Sequence, residues 1–209
     1  MPCYHPLQGW RSRFNFNPKT GRHGITFNLN EAFVEYPVTV PCGQCIGCRL
    51  ERSRQWAIRC MHEASLHRDN CFITLTYDND HFPDGGSLNK RDICLFLKRL
   101  RKRFGDGIRF FQCGEYGSLF ARPHHHAILF GFDFPDKKFW SSSNGIPLYR
   151  SAILEELWPY GFCTIGNVTF ESAAYVARYI TKKITGDNAA SHYAGRLPEF
   201  ITMSRRPLS

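Results

Sequence analysis

Ala121-Arg-Pro-His-His-His-Ala-Ile-Leu-Phe130 runs three histidines straight into an apolar strand. A strand sends residues i and i+2 to one face, so His124 and His126 point together and His125 points away. Strand geometry sets the two side chains about 6–7 Å apart. At that spacing they can share one metal ion if a neighbouring strand adds a third ligand. The plainer alternative is a polar strand end carrying surface histidines. Gly107-Ile-Arg-Phe-Phe-Gln-Cys113, ending at Gly114-Glu-Tyr-Gly117, reads as a preceding strand. The loop from there to Pro123 is short enough for a hairpin, which brings Glu115 beside His124 and His126.

Outward from this hairpin, the chain alternates strands and helices. Cys71-Phe-Ile-Thr-Leu-Thr-Tyr77 is β-branched and alternating, hence a strand. Asn89 with Asp92 forms a helix-cap pattern. The helix it opens turns Ile93, Phe96, Leu97, Leu100 and Phe104 inward and stops at Gly105. Residues 49–68 read as another helix, with Leu50, Ala57, Ile58, Met61 and Ala64 on one stripe. Residues 133–150 are a polar, Gly/Pro-rich excursion, 153–158 look helical, 162–170 read as a strand and 171–184 as the last helix. Residues 1–40 are irregular, with short strands at 25–29 and 32–40. Hairpin-length links between strands favour an α+β domain with a mainly antiparallel central sheet and flanking helices. The expected division is an N-terminal segment over 1–68, a core over 69–186 and a C-terminal tail over 187–209.

The 209 residues carry a net charge of +9, which favours an anionic partner. Nucleic acid leads, because no lipid-facing amphipathic helix is evident and aromatic residues make up 15% of the chain. Most of the 18 Phe belong in the core on the plainer reading. Between Lys90 and Arg103 seven basic residues face one acidic residue, a composition suited to phosphate contact or to a solvated face. The N-terminus lacks an apolar h-region, and no apolar run reaches the ~18 residues of a membrane span. Nine cysteines without an export signal read as reduced thiols or metal ligands, so a cytosolic location is expected. No phosphate-binding glycine loop occurs in these 209 residues, so an ATP-driven helicase is not expected to be encoded within them.

Pro41-Cys-Gly-Gln-Cys-Ile-Gly-Cys48 aims Cys42, Cys45 and Cys48 at one point across two-residue spacers. Three thiolates need a fourth ligand to close a tetrahedral zinc site, and Cys3, His5 and Cys60 are candidates. A reduced Cys-rich turn and iron–sulfur ligation are the alternatives. A structural Zn²⁺ here would staple the N-terminal segment to the body.

Ala174-Tyr-Val-Ala-Arg-Tyr-Ile-Thr-Lys-Lys183 projects as a helix. Ala173, Ala177, Ile180 and Ile184 form its packing stripe, and Tyr175, Tyr179, Lys182 and Lys183 cluster on the other side. Two phenols one turn apart, roughly 6 Å, thus stand beside two ammonium groups. The competing reading is an aromatic pair packed into a core. A phenol with a pKa near 10 is a poor nucleophile, and an anionic phosphodiester resists attack. A divalent ion held by Glu115, His124 and His126 would neutralise charge developing on the phosphate. Two imidazoles and one carboxylate suit Mn²⁺ and tolerate Mg²⁺, Co²⁺ or Zn²⁺. Tyrosine attack would leave a covalent phosphotyrosyl end, and the second tyrosine would take a second strand. The ester keeps the bond energy, so cutting and rejoining need no ATP.

Arg122-Pro-His-His-His-Ala-Ile-Leu-Phe-Gly131 resembles the His-hydrophobe-His motif of HUH endonucleases, with His125 in the middle slot. The helix at 174–183 resembles the two-tyrosine motif of rolling-circle replication initiators of small single-stranded DNA phages. Cys71–Tyr77 is similar to their first motif strand. The chain is most similar to the Microviridae initiators of the gokushovirus type, which share the Cys-Gly-Gln-Cys-Ile-Gly-Cys run and the Gly-Glu-Tyr-Gly segment. The resemblance implies a ferredoxin-like HUH nuclease core, nicking of replicative-form DNA at an origin, and covalent attachment to the DNA 5′ end. It implies metal binding by Glu115, His124 and His126, nucleophile roles for Tyr175 and Tyr179, and a basic pair at Lys182 and Lys183. It further implies single-stranded and replicative-form origin DNA and the host helicase and polymerase as partners, in the cytoplasm of a bacterial host. Relaxases place tyrosine before the histidines, and single-tyrosine transposases lack the four-residue pair. A non-catalytic, zinc-stapled DNA-binding protein is the alternative from another class.

Overall fold

The computed structural model describes residues 3–143, 145–182, 184 and 188–204, apart from the side chains of 179–182 and 188. The chain divides into two compact units, Met1–Glu51 and Arg52–Ser209. The first holds strands β1 (Leu7–Asn17), β2 (Arg22–Thr26) and β3 (Ala32–Val40) in an antiparallel sheet of order β2-β1-β3. The expectation of an irregular stretch before residue 25 is therefore wrong. Trp10-Arg-Ser-Arg-Phe-Asn-Phe16 does alternate, a strand signal the sequence held, although Arg13 to Asn17 are all exposed and no core forms on that face.

Helix α1 (Ile46–Ser65) ends in the second unit. After it come β4 (Asn70–Thr76), α2 (Lys90–Phe104), β5 (Arg109–Tyr116), β6 (Pro123–Phe130), β7 (Lys138–Ser143), β8 (Ile146–Arg150) and α3 (Ala152–Leu157). The unit closes with β9 (Cys163–Gly166), α4 (Phe170–Lys182), α5 (Asn188–Tyr193) and β10 (Phe200–Met203). The seven strands lie in the order β10-β5-β6-β4-β9-β8-β7, and every neighbouring pair is antiparallel. β6 therefore separates β4 from β5, which run parallel to each other across it. β4–α2–β5 and β6–α3–β9 are two split β-α-β units, giving the ferredoxin-like order β9-β4-β6-β5. The fold is α+β with a large antiparallel sheet flanked by helices.

Alternation along the strands builds two separate cores. One face carries Cys71, Ile73, Leu75 and Tyr77 of the β4 segment with Ala127 and Leu129 of β6. These pack under Ile93, Phe96, Leu97 and Leu100 of α2 and Leu154, Leu157 and Trp158 at α3. The opposite face carries Phe111, Cys113, Ile128 and Phe130, covered by Ala57, Cys60 and Ala64 of α1 and Ala173, Val176 and Ala177 of α4. Small residues on α4 let that helix approach the sheet closely, whereas α2 fills its side with large ones.

Several local expectations shift. Asn89 does cap α2, accepting from the Arg91 amide, but Asp92 accepts from the Tyr77 hydroxyl instead of completing a reciprocal box. Phe104 is the last residue of α2 and stays 36% exposed, outside the core clusters with its ring against Phe132. The excursion at 133–150 contains the β7–β8 hairpin, whose residues are exposed or half-buried and carry no core pattern. Phe200–Met203, within the expected tail, pairs along β5 as an edge strand. No helix among the described residues is long and apolar enough to cross a membrane.

Candidate active site and metal centres

β5 and β6 pair so that Glu115 stands directly opposite His124. Alternation then puts Glu115, His124 and His126 on the sheet face that α1 and α4 cover. His124 Nε2 lies 2.7 Å from Glu115 Oε1, and His126 Nε2 lies 3.0 Å from the same oxygen. The two imidazole rings are 4.9 Å apart and nearly perpendicular. The far nitrogens are engaged elsewhere: His124 Nδ1 by the Arg122 carbonyl at 3.0 Å, His126 Nδ1 by Thr74 Oγ1 at 2.9 Å. Each ring is thereby oriented with Nε2 towards the carboxylate, the arrangement that metal-binding histidines use. Burial alone would raise the Glu115 carboxyl, but bonds from His124 and His126 and their charge outweigh it and hold it at about 2.

The three donor atoms fall within 4.8 Å of one another. Octahedral ligands about 2.1 Å from a divalent ion are about 3.0 Å apart along each edge. The observed 2.7 and 3.0 Å separations fit that requirement with little movement.

α4 brings Tyr175 to the same place. Its hydroxyl donates to Glu115 Oε1 at 3.4 Å, and its ring meets His126 edge-on at 5.1 Å. It is 39% exposed, so the phenol faces both the carboxylate and solvent. The sequence projection set this residue opposite the packing stripe. The buried stripe of Ala173, Val176 and Ala177 lies on the other side of the helix, so the structure keeps Tyr175 off it as projected. Tyr179 and Lys182 follow on α4, but their side chains lie outside the described residues, as does Lys183 altogether.

His125 turns to the other face, as alternation requires. It is fully buried between Tyr77 and Trp158, with Nε2 3.2 Å from the Tyr77 hydroxyl. Burial, and then the charge of His124 and His126, push its pKa down to about 3, so the ring is neutral at physiological pH.

Sequence reasoning passed over three contributors. Thr74 pairs in register with His126. Phe72, one alternation earlier, stacks on the His126 ring at 5.5 Å and 16°. The Arg122 carbonyl was invisible because backbone groups leave no side-chain signature. Period-2 spacing along Cys71–Tyr77 would have placed Phe72 and Thr74 on the histidine face. The basic run of α2 lies on the face away from the site. Arg99 and Arg101 there donate to the Leu157 and Ile108 carbonyls, and Arg103 pairs with Glu156, so three of its cations are engaged in packing.

In the first unit the structure brings together Cys3, Cys42, Cys45 and Cys48, with all four sulfurs within 4.8 Å of one another. Cys60, another candidate fourth ligand, is instead buried in the α1 packing face of the second unit. Amides of Tyr4 and Cys48 pull the Cys45 thiol down to about 6.

A carboxylate and two imidazoles on an antiparallel ferredoxin-like sheet, with a helix-borne phenol in reach, define a candidate divalent-metal site. The family described as replication-associated protein ORF2/G2P matches residues 70–184, which span β4 to α4, and the chain belongs to that family. It is 39% identical over 161 residues to the replication-associated protein VP4 of Bdellovibrio phage phiMH2K, covering 73% of this chain and 51% of that one. It is 34% identical over 198 residues to replication-associated protein ORF2 of Spiroplasma virus 4, covering 88% of this chain and 62% of that one. Replication-associated protein ORF4 of Chlamydia phage 1 is 34% identical over 182 residues, covering 82% and 45%. The chain spans about half the length of these curated relatives, between 45% and 62%. No solved structure matches it.

Proposed function

We propose that this chain is the DNA-nicking part of a phage rolling-circle replication initiator, cutting at the origin by tyrosine attack. Residues 69–186 supply the HUH nuclease core, 1–68 the cysteine-bearing N-terminal segment, and 187–209 the C-terminal segment that adds β10. Glu115, His124 and His126 would hold a divalent ion, Mn²⁺ or Mg²⁺, and Cys3, Cys42, Cys45 and Cys48 a Zn²⁺ ion. Origin DNA, single-stranded or in the replicative form, is the substrate, the host helicase and polymerase are partners, and the bacterial cytoplasm is the setting.

The observation that carries this reading is the Tyr175 hydroxyl 3.4 Å from the carboxylate oxygen that both imidazoles share. A bound divalent ion supplies charge neutralisation at a non-bridging phosphate oxygen. Thr74 and the Arg122 carbonyl keep the two imidazoles aimed, and α4 presents the phenol at the rim. As Tyr175 Oη bonds to phosphorus, the bond to the 3′-oxygen breaks and the phenolic proton is replaced, in net terms, by one on the departing 3′-hydroxyl. The product is a 5′-phosphotyrosyl end. Tyr179, four residues on, would take the second strand, with Lys182 and Lys183 countering charge.

The test is cleavage of labelled single-stranded oligonucleotides tiling the cognate phage genome, with and without Mn²⁺. Ion-dependent cutting at one site, lost in His124→Ala and His126→Ala, is expected. Binding without cutting in every condition would favour the non-catalytic zinc-stapled binder.

A further inference from the structure

Residues 3–51 fold without a core of the usual kind. Ala32 is the one buried hydrophobic residue among those described there, and both apolar clusters of the protein draw on residues beyond 51. Phe14 and Tyr36 stay 78% and 63% exposed on the sheet instead of packing under it. A three-stranded sheet needs a hydrophobic face or a helix against it to be stable alone. Small units lacking one rely on disulfides or a metal.

What the unit has is four sulfurs. Cys3 Sγ lies 3.6 Å from Cys42 Sγ and 3.8 Å from Cys45 Sγ. Ligands 2.3 Å from a tetrahedral zinc ion stand about 3.8 Å from one another, whereas disulfide sulfurs are about 2.05 Å apart. Backbone amides donate to these sulfurs: Tyr4 to Cys45 at 3.4 Å, Cys42 to Cys3 at 3.3 Å, and Cys45 to Cys42 at 3.3 Å. Such bonds disperse the negative charge of a thiolate. Gly43 turns the chain through φ +74° between the first two ligands of the run, a conformation glycine adopts without strain.

The ligands are also placed to act on the sheet. Cys3 precedes β1 and Cys42 follows β3, and the ladder between those strands begins at Leu7 opposite Val40. An ion joining residues 3 and 42 clamps the open end of that ladder, where Cα-to-Cα pairing starts.

We infer that a tetrathiolate Zn²⁺ centre at Cys3, Cys42, Cys45 and Cys48 is the core of residues 3–51, so that β1, β2 and β3 assemble only with the ion bound. This rests on reading the four thiolates as zinc ligands. It goes beyond a staple, because the ion takes the place of apolar burial and metal binding becomes folding.

The experiment uses the full chain. Metal content is measured by mass spectrometry, and Co²⁺ is loaded for the charge-transfer and d–d bands of a tetrathiolate site. Hydrogen exchange is then followed before and after chelation, and in Cys42→Ser and Cys45→Ser. About one zinc per chain, with protection over residues 7–40 lost on its removal and protection over 123–130 retained, is expected. One zinc bound but residues 7–40 still protected after removal overturns the inference and leaves the zinc reading standing. A chain that takes up neither zinc nor cobalt at these thiols overturns the zinc reading itself.

Discussion

Replacing Glu115 by Gln tests the site without DNA. The carboxyl is held at about 2 against an ordinary 4.5, and every tenfold change in a protonation equilibrium corresponds to about 1.4 kcal/mol. The ionised carboxylate therefore contributes about 3 kcal/mol to the metal-free fold. The sign follows from the depressed value: the contribution is fully present above pH 4.5 and is lost as pH falls towards 2. Gln keeps the shape but accepts from two imidazoles without charge. Native-state hydrogen exchange of the β6 amides reads the second unit directly, because its core is separate from residues 3–51. At about pH 5.5, below the ordinary imidazole value of about 6.5, and without metal, Glu115→Gln should lower β6 opening free energy by about 3 kcal/mol, and the gap should narrow below pH 4.5. The same variant should bind Mn²⁺ far more weakly, since a neutral amide oxygen replaces an anionic ligand. A variant within about 0.5 kcal/mol of the wild type at about pH 5.5 would refute the reasoning, because changes of that size are ordinary for surface substitutions.

The remaining expectations are independent of one another. His125 has a pKa near 3 in the fold, below its ordinary 6.5, so its protonation in the unfolded chain should erode stability as pH falls from 6.5 towards 3. His125→Leu should flatten that part of the urea-denaturation profile. Thr74→Val removes the partner of His126 Nδ1 and should weaken Mn²⁺ binding about 10–100-fold in a calorimetric titration. Arg109→Met leaves Glu63 buried without its bidentate partner and should cost about 3 kcal/mol in urea unfolding. Gly161→Ala sets a Cβ 2.3 Å from the Asp78 amide nitrogen at φ +149°, and the resulting displacement should lower the melting temperature by several degrees.

Sequence was most informative where burial on one face imposes a period. His124 to Phe130 alternates between two real cores, so the direction of each histidine and the pairing of Glu115 followed from spacing alone. The same logic placed β4, α2 and α4. It failed where a segment has little to bury. β1 alternates aromatic with polar residues but stays largely exposed, β7 has no alternation at all, and β10 is four residues at a sheet edge. Asn144-Gly145 between Ser143 and Ile146 is a hairpin signal that composition obscured. Contacts made by backbone, such as the Arg122 carbonyl on His124, have no residue-type signature at all.

The central claim is that Tyr175 attacks a phosphate held at the Glu115–His124–His126 centre. Incubating the chain with Mn²⁺ and the cleaved single-stranded oligonucleotide, then digesting any denaturation-resistant adduct for mass spectrometry, tests it most directly. A nucleotide ester on the peptide bearing Tyr175 or Tyr179 is expected, absent from the Tyr175→Phe/Tyr179→Phe double variant. An adduct of undiminished yield in that double variant, or cleavage that never passes through one, would contradict the claim.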